Sequence, residues 1–307
     1  MDLAAGPLPA QIDQPGADRV HATASPPGRR RAACEGSDRL IDIAGWEPGP
    51  QERTETIDPA PAVALAGLLD VAPPDPELPP LWQWLYFLDR PRTDELGPDG
   101  HPRGGHFLPP IPDRRRMFAG GRLDLHEPIR LGDTVTRRSE LAETTLKHGR
   151  SGEMLFVTVR HTYLRDDAEI AVEEQDLVYR SGDTAAPAPA PSYEPPWVEA
   201  PWTLPVTVDP VLLFRFSALT YNAHRIHYDP VYTAQVEGHP GLVVHGPLLA
   251  ILCLELPRRT GHKVTRLSFR ARKPVYVGQP FVAAGSPDGH LAIEAPGDVT
   301  AMTATFT

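Results

Sequence analysis

The chain has 307 residues, 41% of them hydrophobic, and a formal net charge of −10. That length suits one large domain or two of roughly 100–150 residues, and the negative balance argues against nucleic acid as the main partner. No apolar run reaches the ~18–20 residues that a membrane span needs, and no signal-peptide core opens the chain. Its two cysteines, Cys34 and Cys253, fit a reducing cytoplasm better than a secreted disulfide scaffold.

Residues 1–38 carry scattered Pro, Gly and Ala and the run Arg29–Arg31, and read as a flexible, solvated tail. The first folded block spans 39–182. Its Ala/Leu-rich stretch Pro61–Asp70 predicts a short helix. Leu155, Val157 and Val159 alternate with Phe156, Thr158 and Arg160, the period of a strand, and Leu177–Tyr179 is a second strand candidate. Prolines then crowd the segment 183–205, which reads as an extended linker because Pro-rich sequence cannot propagate a helix. The second block spans 206–307. Gly246–Leu256 predicts a helix with Pro247 in its first turn, where a missing N–H costs nothing. That helix is apolar nearly all round, so it should be buried. In Arg266–Arg272, Leu267, Phe269 and Ala271 form one strand face and Arg266, Ser268, Arg270 and Arg272 the other.

The blocks echo each other. Leu125–Asp133 and Ala271–Gln279 both read as a strand end, then Pro-[Ile/Val]-x-[Leu/Val]-Gly, then a further strand, about 146 residues apart, close to a domain length. A helix and several strands done twice suggest α+β architecture, a curved antiparallel sheet wrapping a central helix in each half.

The most unusual stretch is Thr220–Pro230. Tyr221, Asn222, His224, His227, Tyr228 and Asp229 fall within nine residues, followed by Val244–His245–Gly246–Pro247 at the mouth of the apolar helix. Imidazole has the pKa range for proton transfer near neutrality. Glycine at a helix N-terminus offers an unhindered N–H backed by the helix dipole.

Thr220–Pro230 resembles the active-site segment of the MaoC-like, (R)-specific enoyl-CoA hydratases, whose motif is Asp-x-Asn-Pro-[Leu/Ile]-His-x-Asp-Pro. In the ungapped alignment the motif's first Asp falls on Asn222, its Asn on His224, its Pro on Arg225 and its His on His227, while Asp229 and Pro230 match. His245–Gly246 resembles the family's His-Gly pair, whose glycine amide holds the thioester oxygen. The whole form is more similar to the branch containing mesaconyl-C4-CoA (3-methylfumaryl-CoA) hydratases and mitochondrial-type 3-hydroxyacyl-thioester dehydratases. In the first block, Pro79–Leu88, Arg115–Arg122 and Lys147–Gly152 resemble that branch's N-terminal dehydratase-like domain. The resemblance implies a double hot-dog fold and a hydro-lyase acting on a short acyl-CoA, with no cofactor and no metal. It also implies a non-catalytic first half that completes an intrachain pseudo-dimer. Association of two such chains stays open.

Hydration of an enoyl thioester needs a base for water, an acid for the α-carbon and a donor for the enolate-like oxygen. The resemblance assigns proton transfer to His227 and the oxygen to Gly246, while Asn222, at the position where the family has a carboxylate, can orient the water. Asn222 cannot accept a proton at neutral pH, so three arrangements stay open: His227 performs both transfers, or Asp229 or His224 supplies the second group. Tyr221, His224, Asp229, Val244 and His245 are candidates for substrate contact. Arg270, Arg272 and Lys273, in a stretch without acidic residues, are candidates for the CoA phosphates. Arg114–Arg116 are candidates for the same purpose or for a free substrate carboxylate. The favoured substrate is mesaconyl-C4-CoA. A 3-hydroxyacyl-CoA or acyl-carrier-protein thioester, a thioesterase and a non-catalytic acyl-thioester binder are the alternatives.

Overall fold

The computed structural model describes residues 41, 43–111, 115–149, 152–180 and 189–307. The expected tail over 1–38, the arginine run within it, Cys34, Arg114 and residues 181–188 lie outside the described residues. Among the described residues, ten strands form one antiparallel sheet: β1 Gln51–Thr56, β2 Arg115–Leu125, β3 Thr134–Gly149, β4 Gly152–Arg165, β5 Ala168–Arg180, β6 Trp202–Thr207, β7 Arg266–Ala271, β8 Pro280–Gly285, β9 His290–Ala295 and β10 Val299–Phe306. Their order is β1-β3-β4-β5-β2-β7-β10-β9-β8-β6. The second half of that order is the first run backwards, which is a pseudo-twofold about the β2–β7 junction. There Gly121 pairs with Phe269 and Leu123 with Leu267. This is a double hot-dog fold.

The repeat is visible at the backbone level. Gly132 and Gly278 both take left-handed φ, 89° and 78°. Their N–H groups bond to Ile57 O at 2.8 Å and to Val208 O at 2.9 Å. Ile57 and Val208 themselves sit in a second repeat that periodicity does not reveal, Thr-[Ile/Val]-Asp-Pro. In each copy the Asp caps a helix that opens with Pro: α1, Pro59–Leu68, behind Asp58, and α2, Pro210–Leu219, behind Asp209.

The two halves differ in the helix they enclose. In the second half Val244 N bonds to Val275 O at 2.8 Å, and α4, Gly246–Arg259, follows. In the first half Leu78 N bonds to Ile129 O at the same distance, but only a 3-10 turn, Trp82–Leu85, follows. The predicted helix Pro61–Asp70 therefore does form, as α1, yet its counterpart is α2 and not the central helix. Leu81 and Phe87 take positive φ on either side of the turn, and Glu173 fixes it from β5 by accepting from Gln83 Nε2 at 3.1 Å and Trp84 Nε1 at 2.5 Å. α4 is buried from Leu248 to Pro257, as its all-round apolar pattern requires.

Strand β4 buries Leu155, Val157 and Val159, and β7 buries Leu267 and Phe269 while exposing Arg266, Ser268 and Arg270. The proline-rich segment yields to structure earlier than expected. Trp202–Pro205 already pair with β8, and Pro205 is tolerated because β6 is an edge strand. Among the described residues no helix is long and apolar enough to cross a membrane.

Candidate active site

The segment after α2 turns sharply at Tyr221, whose φ is 51°. It then forms a 3-10 turn, Arg225–His227, and enters α3, Pro230–Gln235. This loop carries His227 to the head of α4. His227 is 7% exposed and its Nδ1 lies 2.7 Å from Val243 O. A carbonyl only accepts, so Nδ1 holds the hydrogen and Nε2 carries the lone pair. Burial lowers the ring to about 4, against the opposing pull of the Val243 carbonyl, so His227 is a neutral base at physiological pH.

His245 caps α4 and stacks on His227, with ring centroids 3.6 Å apart. Its Nε2 lies 2.9 Å from Ser217 Oγ on α2, and its Nδ1 is buried without a partner among the described residues. Burial, and then His227, hold it well below the usual histidine value. Gly246 is the first residue of α4, and its N–H makes no hydrogen bond to any described residue. A Cβ there would lie 3.0 Å from Phe118 Cδ1. Glycine at this helix start spares a tight contact with the Phe118 ring and does not serve an unusual backbone conformation.

His224 meets His227 edge-on at 5.5 Å. Burial first, and then repulsion from any charge on His101, His227 and Arg116, hold it well below the usual histidine value. Asn222 Oδ1 accepts from His224 N at 3.0 Å, so the amide holds the loop and keeps its NH₂ as a donor. Asp229 is already committed. It caps α3 by accepting from Tyr232 N at 2.9 Å and pairs with Arg225 Nη2 at 2.6 Å. Those bonds, Tyr232 N first, hold its carboxyl below the ordinary range. It is a helix cap here and not a free second acid. Tyr221 is 55% exposed, and Val244 is buried in the apolar core.

Arg270, Arg272 and Lys273 are exposed, and none makes an ion pair among the described residues, although Arg272 Nε donates to Thr303 Oγ1 at 3.2 Å. Arg270 borders a shallow cleft of about 590 Å³ on the outer sheet face, which shares no lining residue with the histidine cluster. Arg258 and Arg266 in the same basic stretch are paired with Glu255 and Asp124. Arg116 on β2 is half-buried, acts on His224, and has no ion pair among the described residues.

One contribution escaped sequence reasoning. His101, from the first half, stacks against His224 with centroids 4.0 Å apart, and Asp99 Oδ2 lies 2.9 Å from His101 Nδ1. Asp99, His101 and His224 bring ligand atoms within 4.8 Å of one another, close enough for a divalent cation. The only local signal was Asp-Gly-His in a Pro/Gly-rich loop, and nothing in its spacing points across 120 residues to His224.

The chain is similar to known proteins over most of its length. Residues 81–277 match the family model for hydroxyacyl-thioester dehydratase type 2. The chain is 44% identical over 274 residues to the mesaconyl-C4-CoA hydratase of Chloroflexus aurantiacus, covering 86% of this chain and 97% of that protein. It is 28% identical over 248 residues to the mitochondrial hydroxyacyl-thioester dehydratase type 2 of Schizosaccharomyces pombe, covering 71% and 80%. The solved structure of HtdX from Mycobacterium tuberculosis superposes with a TM-score of 0.60 at 16% identity, over 84% of this chain and 98% of that one, a likeness of fold.

Proposed function

Because the chain belongs to the hydroxyacyl-thioester dehydratase type 2 family, we propose that it is a hydro-lyase that reversibly hydrates mesaconyl-C4-CoA to citramalyl-CoA. The observation that carries this reading is the pairing of His227 with Gly246: a neutral, oriented imidazole with Nε2 free beside a helix N-terminus whose first N–H is unbonded. In the forward reaction His227 Nε2 takes a proton from water as the oxygen bonds to the β-carbon. The thioester oxygen gathers charge at the Gly246 N–H, where the α4 dipole favours it. Asn222 and His224 border the water, and the buried stack with His245 keeps the base in register. The identity to a hydratase named for a dicarboxylic acyl-CoA supports the substrate, and Arg116 is the cation that a distal carboxylate would meet. Arg270, Arg272 and Lys273 are proposed for the CoA phosphates. Acyl-CoA metabolism and the buried free thiol of Cys253, pushed up to about 12 by burial, fit the cytoplasm. The second half carries the catalytic loop. The first half, ending near residue 182, acts as its partner in a single-chain pseudo-dimer.

The test is loss of the enoyl-thioester absorbance on mixing enzyme with a panel of enoyl-CoAs with and without a distal carboxylate. Turnover of mesaconyl-C4-CoA by the wild type and a loss of 10²- to 10⁴-fold in His227→Gln is expected for removal of a general base, about that range being usual. Undiminished turnover in the variant rejects His227 as the base. The relative from Schizosaccharomyces pombe favours a second reading, dehydration of a straight-chain 3-hydroxyacyl-CoA or acyl-carrier-protein thioester. Faster turnover of those members of the panel would select it.

A further inference from the structure

The motif position that resembles a catalytic carboxylate holds Asn222, and the nearby Asp229 is consumed as a helix cap and ion-pair partner. A different carboxylate reaches the cluster from the first half of the chain. The turn from Leu96 to Pro102 is closed by a bridge between those two residues and by Gly97 N donating to His101 O at 2.7 Å. It docks directly on the catalytic loop. Arg225 N donates to Asp99 O at 2.8 Å, Arg225 Nη1 donates to Pro98 O at 3.0 Å, and a Cβ on Gly100 would fall 1.8 Å from Ala223 O. Gly100 also has φ of 89°, so glycine is doubly required at this contact.

The docking spends Asp99 on a single imidazole. Its Oδ2 lies 2.9 Å from His101 Nδ1, and its Oδ1 accepts from His101 N at 3.0 Å. Nε2 of His101 makes no hydrogen bond to any described residue. The ring then starts a file of imidazoles, His101, His224, His227 and His245, at successive centroid distances of 4.0, 5.5 and 3.6 Å. The Asp99 and His101 side chains are 22% and 21% exposed, so the pair is largely but not fully buried. Burial raises the Asp99 carboxyl, but the His101 hydrogen bond and charge outweigh it and keep the group ionised. The other titratable or charged groups about the pair are His224, His227 and Arg225 from the catalytic loop, Tyr232 from α3 and Arg116 from β2.

We propose that Asp99 and His101 supply the second proton-transfer group of the reaction, His101 as the acid for the α-carbon and Asp99 as its positioning residue. This rests on the hydratase reading above. Water's oxygen bonds to the β-carbon while its proton passes to His227 Nε2, and the Cα=Cβ π pair moves onto the thioester oxygen as an enolate. The carbonyl then re-forms, the pair returns to Cα, and Cα takes the proton of His101 Nε2. One water has been added, and the proton left on His227 and the one given up by His101 are re-equilibrated with solvent before the next turnover. The carboxylate–imidazole pair does the work of the missing motif aspartate, with Asp99 stabilising the charged ring as a buried carboxylate does for a catalytic histidine.

The experiment compares His101→Gln, His101→Ala and Asp99→Asn with wild type, using the enoyl-CoA the wild type turns over best. The expected result is a fall in kcat of about 100-fold or more for both His101 variants, KM changed by less than about threefold, and loss of one limb of the kcat–pH profile. Added imidazole should restore part of the activity of His101→Ala, which a purely structural role would not allow. Asp99→Asn should lower kcat and shift the same limb. Folded His101 variants within about threefold of wild-type kcat, alongside an inactive His227→Gln, would overturn the pair and leave the hydratase reading intact. A wild type that hydrates nothing in the panel is failure of that reading itself. Loss of activity on chelation, restored by a divalent cation, would overturn the proposal in favour of a metal held by Asp99, His101 and His224. If His101→Ala fails to fold, His101→Gln decides, because it keeps a donor toward Asp99.

Discussion

His227 and His245 lie face to face, their ring planes 19° apart and their centroids 3.6 Å apart, deep enough that neither ring is charged at neutral pH. Two stacked imidazoles in a dry site cannot both be charged, since like charges at that distance repel strongly. Their pairing fixes the base and also makes it sensitive to acid.

That sensitivity predicts how stability varies with pH. His227 is lowered by burial to about 4 in the folded chain, against about 6.5 when unfolded. Between those values the unfolded chain binds more protons, so stability is complete above about pH 6.5 and is lost as the pH falls toward 4. For His227 the loss is on the order of 3 kcal/mol. His245 and, beneath the first half, His161 are lowered by burial in the same direction. Chemical unfolding measured from pH 7 to 4.5 should show a declining midpoint, and His227→Gln should flatten the slope. A flat wild-type profile would contradict the neutral stack.

Ser217 is the only described partner of the His245 ring nitrogens. Ser217→Ala leaves Nε2 buried without a partner, as Nδ1 already is. The expected cost is about 1–3 kcal/mol of stability, with kcat reduced because the ring that backs His227 is no longer held. Ser217→Thr, which keeps the hydroxyl, should recover most of the kcat loss. Thermal melts and steady-state kinetics check both.

Asp229 separates a cap from an acid. If it only caps α3 and holds Arg225, Asp229→Asn retains most of the cap and keeps kcat within about threefold, while Asp229→Ala loses the cap and lowers the melting temperature. A collapse of kcat in the Asn variant, with the melting temperature unchanged, would return Asp229 to the chemistry.

At Gly246 the expected effect is on position, not on the presence of the donor. Gly246→Ala keeps the N–H but brings a Cβ within 3.0 Å of Phe118 Cδ1, an overpacking worth about 1–3 kcal/mol. Either the Phe118 ring or the head of α4 must give by a few tenths of an ångström, and where the helix head moves kcat should fall by about 10-fold or more as the donor leaves the oxyanion position. The pair Gly246→Ala with Phe118→Leu should recover part of the loss in a double-mutant cycle. No recovery would place the defect elsewhere.

Much of this was legible in the chain because it is written locally. The apolar run Gly246–Leu256 forms a buried helix, the alternation at Leu155–Arg160 and Arg266–Ala271 forms strands, and the crowded Thr220–Pro230 segment delivers His227 to the helix head. What escaped reading is non-local. Pro61–Asp70 forms a helix, but only the hydrogen bonds of Ile57 and Val208 reveal that α2 is its counterpart. The reduced central helix of the first half depends on Glu173, 89 residues from Trp84, bonding to that turn. Asp99 reaches the histidines because a glycine lets two distant loops touch, and no periodicity encodes that approach.

The continuous β2–β7 junction has a consequence for how this chain can change. In a symmetric pair of identical subunits every substitution is made twice, so a gain at one site is tied to whatever it does at the other. Joined in one polypeptide, the halves inherit separately. One can lose its long helix and keep a short turn while the other refines its loop, and each answers only for its own side. The asymmetry between Trp82–Leu85 and Gly246–Arg259 is what that independence permits. A residue such as Asp99 can then specialise in one copy without burdening its twin.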